Sequence, residues 1–157
     1  MAGDKDPKGP HADEANPPRA HAVHADPEAR RGFECHPLPE VARTPPEKKS
    51  PAKWAYERLI LYIKNFEDLL DGDHEVAMGF TGATAGVLRI EGIGYFDPDI
   101  VTFYGTDGAG TRTQLIQHVS QLNVILRALP KQGETQEARR IGFRLAQELN
   151  EQGDGEA

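Results

Sequence analysis

The chain has 157 residues, 25 acidic against 18 basic side chains, a net charge of −7 and a 38 % hydrophobic content. That length suits one domain with tails, and the acidic balance argues against broad, unselective phosphate binding, which needs Lys and Arg in surplus. A single cysteine, Cys35, excludes an internal disulfide and fits a reducing, cytoplasmic setting, and no apolar run approaches the ~20 residues that cross a bilayer.

Residues 1–49 are rich in Pro, Ala and His, and between Ala2 and Lys49 the large apolar side chains are only Val23, Phe33, Leu38 and Val41. So little apolar surface does not offset the entropy of ordering the chain, and a disordered leader is expected. Its opening, MAGDKDPKGP, has no apolar core and does not read as a secretory signal. Phe33, Leu38 and Val41 are close enough to serve as a short docking motif for a protein partner, although a solvated leader is the simpler expectation. His11, His21, His24, His36 and Cys35 are scattered through this stretch. They lack the tight spacing of a structural metal site, so no metal or other cofactor is expected.

Ser50-Pro51 marks a helix start, with Ser capping the first free amides and Pro at the first helical position. Ala55, Leu59, Tyr62, Ile63, Phe66, Leu69 and Leu70 recur at three- and four-residue spacing and predict an amphipathic helix. Lys53, Glu57, Lys64, Glu67 and Asp68 are placed largely off the stripe. Trp54, Ile60 and Leu61 widen the apolar surface beyond one stripe, which suggests contact with a second subunit. Asp71-Gly72-Asp73 is expected to end the helix through a left-handed Gly.

From His74 the period changes to two. Val76, Met78 and Phe80 alternate with Glu75, Ala77 and Gly79, the pattern of a half-buried strand. Thr81–Gly86 is a small-residue turn, and Val87–Tyr95 is a second strand in which Gly92 and Gly94 point to a bend or bulge. A tight turn at Phe96–Asp99 leads into a third strand, Ile100–Tyr104, and then a glycine-rich hairpin loop, Gly105–Gly110. Leu115, Val119, Leu122, Leu126 and Leu129 fit a helical face, but Thr113–His118 and Leu122–Ala128 also read as two strands with a kink at Ser120. The need of the preceding strands for partners favours strands. After a polar connection, Ile141, Phe143 and Leu145 alternate as a last strand, although the Ile141–Leu145–Leu149 spacing also fits a helix. The fold expected is α+β: an N-terminal amphipathic helix on a strongly bent antiparallel sheet of five or six strands, spanning 50–149, with a disordered acidic tail at 150–157.

The segments AYERLILYIKNFEDLL, HEVAMGF, LRIEGIGYFDPDIVTFYG, TQLIQHVSQLNVILRALP and RRIGFRLAQEL resemble, in that order, a family of small, mainly alphaproteobacterial proteins catalogued as a domain of unknown function. That resemblance covers 50–149 and implies no activity. A second, more distant resemblance is to Sm-like proteins, including the RNA chaperone Hfq, which also place a helix before about five bent strands. Gly92, Phe96-Asp97, Ile100–Phe103 and Gln117-His118 follow the order of the Hfq pattern. Two departures matter: the Gly92-to-Phe96 gap is one residue shorter, which in a strand reverses the facing of side chains, and Gln117 stands where that family has a basic residue.

Within 50–149, thirteen acidic side chains face ten basic ones. His118, beside Gln117, Ser120, Gln121 and Asn123, is the first candidate for contact with a ligand or a neighbouring subunit. The simpler expectation is a histidine satisfied locally on a half-exposed strand. Asp97 and Asp99 flank Pro98 and can be drawn as a metal or acid–base pair, but Asp-Pro-Asp is ordinary turn chemistry. Arg139, Arg140 and Arg144 form a basic cluster, joined by Arg127 if the last two strands make a hairpin; it suits a phosphate or an acidic partner, or simply protects a sheet edge. Gly105–Gly110 lacks the Lys-Ser/Thr of a phosphate loop, and no nucleophile elbow is present. The function expected is therefore a non-enzymatic, self-associating interaction module, with an Sm-like RNA binder as the alternative and a small hydrolase-type enzyme last.

Overall fold

Ser50 opens the folded body as its sequence position requires. Its hydroxyl accepts the amide hydrogen of Lys53 at 3.1 Å, and Pro51 takes the first position of helix α1, Pro51–Asp68. The computed structural model describes residues 48–80 and 86–154, together with Ala25. Apart from Ala25, the leader up to Glu47, with its docking motif and its His and Cys residues, lies outside the described residues, as do the Thr81–Ala85 part of the small-residue turn and the last three residues.

Five antiparallel strands follow: β1 (His74–Phe80), β2 (Val87–Phe96), β3 (Ile100–Thr106), β4 (Arg112–His118) and β5 (Val124–Pro130). Their order across the sheet is β4-β3-β2-β1-β5. The segment after Arg112 therefore forms two strands, and the kink at Ser120 is a 3-10 turn, Val119–Gln121. β2 is the bent strand. Its first residues pair with β1, with Met78 opposite Leu88, and from Arg89 on it pairs with β3, with a register shift between Ile90 and Gly92. That irregularity is the bulge announced by the glycines. Opposite it, a Cβ on Gly105 would lie 2.3 Å from the carbonyl oxygen of Arg89, so only glycine allows this approach.

The core lies between α1 and the inner face of the sheet, where Ile60, Ile63, Val101 and Phe103 are fully enclosed and Phe80 meets the Phe103 ring edge-on at 4.9 Å. Ile60, with 0 % exposure, and Leu61, with 7 %, are buried within the protomer, which removes them as self-association residues; Trp54 stays at the surface with 36 %. The helix also stops earlier than expected. Leu69 caps it in a right-handed conformation, and Leu69 and Leu70 close short turns onto the Phe66 and Glu67 carbonyls. Gly72 is not left-handed; instead Asp71 Oδ1 accepts the Asp73 amide at 2.8 Å and bonds His74 Nδ1 at 2.7 Å.

The largest correction concerns the last element. The segment expected to form a sixth strand is helix α2, Gly142–Asp154, running five residues into the expected tail. Ile141, Leu145 and Leu149 are its buried face, one turn apart, and the alternation through Phe143 is misleading because Phe143 is 68 % exposed. No hairpin joins β5 to this segment, because β5 pairs with β1 along its whole length, from Phe80 opposite Val124 to His74 opposite Pro130.

α2 packs on α1 at very short range. A Cβ on Gly142 would come within 2.6 Å of the Lys64 Cα. Beside this contact, the buried carboxylate of Glu67 accepts the amide hydrogens of Ile141 at 2.9 Å and Gly142 at 3.0 Å. α1 thus supplies the cap for α2, satisfying donors that have no partner inside the new helix. Glu67, which the sequence pattern sets off the apolar stripe, is only 4 % exposed. Burial raises its pKa above 4.5, and this outweighs the opposing pull of the two amides and of Arg140.

Replacing Glu67 with Ala should cost about 1–3 kcal/mol, since two buried donors lose their acceptor; Glu67→Gln, which keeps a carbonyl oxygen, should cost less. Folded Glu67 holds its proton more tightly than the unfolded chain does. Its contribution to stability should therefore fall as pH rises from the ordinary value of 4.5 through the raised value, and the Glu67→Gln protein should lack this slope. Urea unfolding across that pH window checks both.

Candidate functional site

The turn between β2 and β3, Asp97-Pro98-Asp99, ties two distant parts of the fold together. Asp97 Oδ1 accepts the Ser50 hydroxyl, and the Pro98 carbonyl accepts the Ala52 amide at 2.9 Å, so the turn holds the start of α1. The Asp99 carbonyl accepts the Val119 amide at 2.8 Å, and Asp99 Oδ2 lies 2.9 Å from His118 Nε2, so the same turn holds the end of β4. β3–β4 pairing sets this up by placing Ile100 opposite His118.

His118 in turn caps the 3-10 turn. Its Nδ1 accepts the Ser120 amide at 3.0 Å and lies 2.7 Å from the Ser120 hydroxyl, and its own amide donates to Gln121 Oε1 at 3.0 Å. An accepting Nδ1 places the ring hydrogen on Nε2, facing Asp99. Asp99, His118 and Ser120 thus form a chain whose connectivity is that of a hydrolytic triad. Its geometry is that of a cap, because Nδ1 already accepts the amide of the same serine. The His118 and Asp99 side chains are also open to solvent, at 46 % and 40 % exposure. Asp97 and Asp99 turn to different partners, Ser50 and His118, as expected of turn carboxylates.

Gln117 lies on the opposite face of β4 from His118, and its buried Oε1 accepts no hydrogen bond from any described residue. Gln121 belongs to the cap, and Asn123 is exposed between the 3-10 turn and β5. On the outer face of the sheet, Phe96, Tyr104 and Ile116 are 74 %, 42 % and 62 % exposed. Sequence reasoning missed this face, although its members alternate with the core-facing residues Tyr95, Phe103 and Leu115.

The basic cluster is divided. Arg140 is committed to the backbone, donating to the carbonyls of His74 and Asp71 at 2.7 Å each. Arg139 contributes its amide, which donates to Glu75 Oε1 at 2.8 Å, while Glu75 Oε2 pairs with Arg89 at 2.7 Å. These bonds fix the connection leading into α2. The hydrogen bond from His74, and after it the Asp73 amide, holds the exposed Asp71 carboxyl below its usual range. Arg139, Arg140 and Arg144 line a cavity of about 560 Å³ between the β2 bulge and α2, but Glu91, Glu148 and Glu151 line it too. Equal numbers of opposite charges do not make a phosphate-selective site. Arg127, on β5 opposite Ala77, is not among the lining residues.

A family model, described as a family of unknown function (DUF6173), matches residues 49–144. The chain belongs to that family. The match starts at Lys49, beside the helix cap, and ends at Arg144, inside α2, so the DUF6173 unit includes α1, the whole sheet and the Glu67-capped start of α2. No curated protein and no solved structure matches the chain.

The His118→Ala protein should lose about 0.5–2 kcal/mol through its missing cap. A double-mutant cycle of His118→Ala with Asp99→Asn should give a coupling of about 0.2–1 kcal/mol, the range for exposed pairs. Denaturant titration of the four proteins measures both.

Proposed function

We propose that this member of DUF6173 is a non-enzymatic interaction module that associates with its own copies through the open edges of its sheet. The observation that carries this reading is the strand order. Among the described residues, β4 and β5 each have one edge without a strand partner. Each is seven residues long, and each has an uncharged stretch, Gln114–Gln117 in the middle of β4 and Val124–Leu126 at the start of β5 before Arg127, with Ile116 and Ile125 exposed by 62 % and 53 %. Unprotected edges of this kind are templates for pairing with another chain. Because β4 and β5 differ in sequence, β4-to-β5 pairing is head-to-tail and builds a ring or a filament, whereas like-with-like pairing builds a two-fold dimer. Of Trp54, Ile60 and Leu61, only Trp54, at the surface of α1, is available to such a contact. With a single cysteine and no internal disulfide, we place the protein in the cytoplasm.

A second reading, an Sm-like nucleic-acid binder, is favoured by one observation: a helix precedes five antiparallel strands whose last member returns to pair with the first, with a 3-10 turn before it. The outer-face aromatics Phe96 and Tyr104 offer rings on which bases can stack. The net charge of −7 weighs against it.

Light scattering on the full chain at micromolar concentration should give a mass above one protomer, and Ile116→Lys or Ile125→Lys should lower it to one. A clean monomer in the unsubstituted protein contradicts the first reading. Binding of short oligoribonucleotides that weakens steeply with salt supports the second, and no binding at low salt rejects it.

A further inference from the structure

The cavity of about 560 Å³ between the β2 bulge and α2 has the size usual for a small-molecule site. Its β2 wall is set by the register shift. Ile90 pairs with Gly105 and Gly92 with Tyr104, which leaves Glu91 as the extra residue, exposed and without a partner on β3. A bulge of this kind re-aims the side chain it carries, and Glu91 lines the cavity. The α2 wall is one stripe of the helix, Arg144, Glu148 and Glu151, at four- and three-residue spacing. Ile93, Ile141 and Leu145, each no more than 8 % exposed, supply the apolar part of the lining.

The charges around this cavity are segregated and do not neutralise one another. Arg139 and Arg144 stand at the entry to α2, and Glu148 and Glu151 stand further along it. At about 1.5 Å per residue, Glu148 is about 6 Å and Glu151 about 10 Å along the axis from Arg144. Among the described residues, neither these four side chains nor that of Glu91 forms an ion pair. Arg144 and Glu148 have the four-residue spacing of a helix ion pair, but with the basic residue first, which is the weaker order. The basic end is held by its backbone. The Arg139 amide donates to Glu75, the Arg140 guanidinium to the His74 and Asp71 carbonyls, and the Ile141 amide to Glu67.

We propose that this cavity binds a short zwitterionic peptide of two or three residues, its carboxylate on Arg139 and Arg144 and its ammonium on Glu148 and Glu151, with Glu91 facing it from the sheet. Three extended residues span about 10 Å, the advance along α2 from Arg144 to Glu151. A simple anion meets the three carboxylates and a simple cation meets the guanidinium groups, whereas a ligand carrying both charges, well apart, suits both ends. The site is separate from the open edges of β4 and β5, and the proposal does not depend on self-association.

The probe is trialanine, with one free ammonium and one free carboxylate, titrated at low salt into the isotope-enriched full chain. Amide resonances of residues 91–93 and 144–148 should shift to saturation, and added salt should weaken the binding. N-acetyl-trialanine, which lacks the ammonium, and trialanine amide, which lacks the carboxylate, should each bind about three- to fivefold more weakly, the effect of one exposed charge pair. The double substitution Glu148→Gln with Glu151→Gln should remove the preference for trialanine over its acetylated form, and Arg139→Gln with Arg144→Gln the preference over its amide. All four side chains are exposed, so these changes leave the core intact. Resonances that stay in place at millimolar trialanine overturn the proposal. So does equal affinity for the three peptides, or a preference that survives both double substitutions.

Discussion

One buried carboxylate governs how this chain closes on itself. Glu67 sits at the end of α1, next to the segment where Ile141 and Gly142 begin α2, and it accepts both of their amide hydrogens. Without that acceptor, the first turn of α2 would present free donors to an apolar boundary, a costly arrangement. With it, Gly142 can approach the Lys64 backbone, and Ile141, Leu145 and Leu149 enter the core. The cost is visible in the carboxyl itself, whose pKa burial drives upward despite two hydrogen bonds that favour the charged form. The neighbouring polar bonds serve the same end. Glu75 holds the Arg139 amide, and Arg140 holds the carbonyls of Asp71 and His74, so the connection into α2 is fixed to the start of β1.

Much of the sheet was legible from its two-residue period, although β1, read as half-buried, is buried on both faces because Glu75, Ala77 and Gly79 are enclosed as well. Val76, Met78 and Phe80 mark β1, and β3 follows directly from Ile100–Tyr104 with two more residues. The segment after Arg112 is ambiguous by period alone, and the demand of earlier strands for partners resolves it correctly. The last element misleads because Ile141, Phe143 and Leu145 alternate by chance; the decisive signal is the four-residue spacing through Leu149. Reading a strand there hides the partner of α1, so Ile60 and Leu61 look like contacts to another subunit when the protomer itself buries them. Glu67 carries a readable signal too, since it stands seven residues after Ile60 and four after Ile63, on the buried stripe. Its charge points to the opposite assignment. A helix cap supplied from another helix leaves no local pattern.

The site around His118 shows the same economy of polar groups. Asp97, Pro98 and Asp99 connect the start of α1 to the end of β4, and His118 passes that connection to the 3-10 turn that leads into β5. These residues therefore set the relative position of the two strands that bound the sheet. The link to function runs through architecture: the cap positions β4 and β5, and those strands offer the open edges on which self-association is proposed. Membership of DUF6173 spans the same elements and ends just inside the capped helix.

The most direct test of the central role of Glu67 is native-state hydrogen exchange at the Ile141 and Gly142 amides. If the carboxylate holds them as described, both should exchange only through an opening as costly as that of the core strands β1 and β3. Exchange as fast as in the exposed connection from Gln132 to Glu137 would contradict the account.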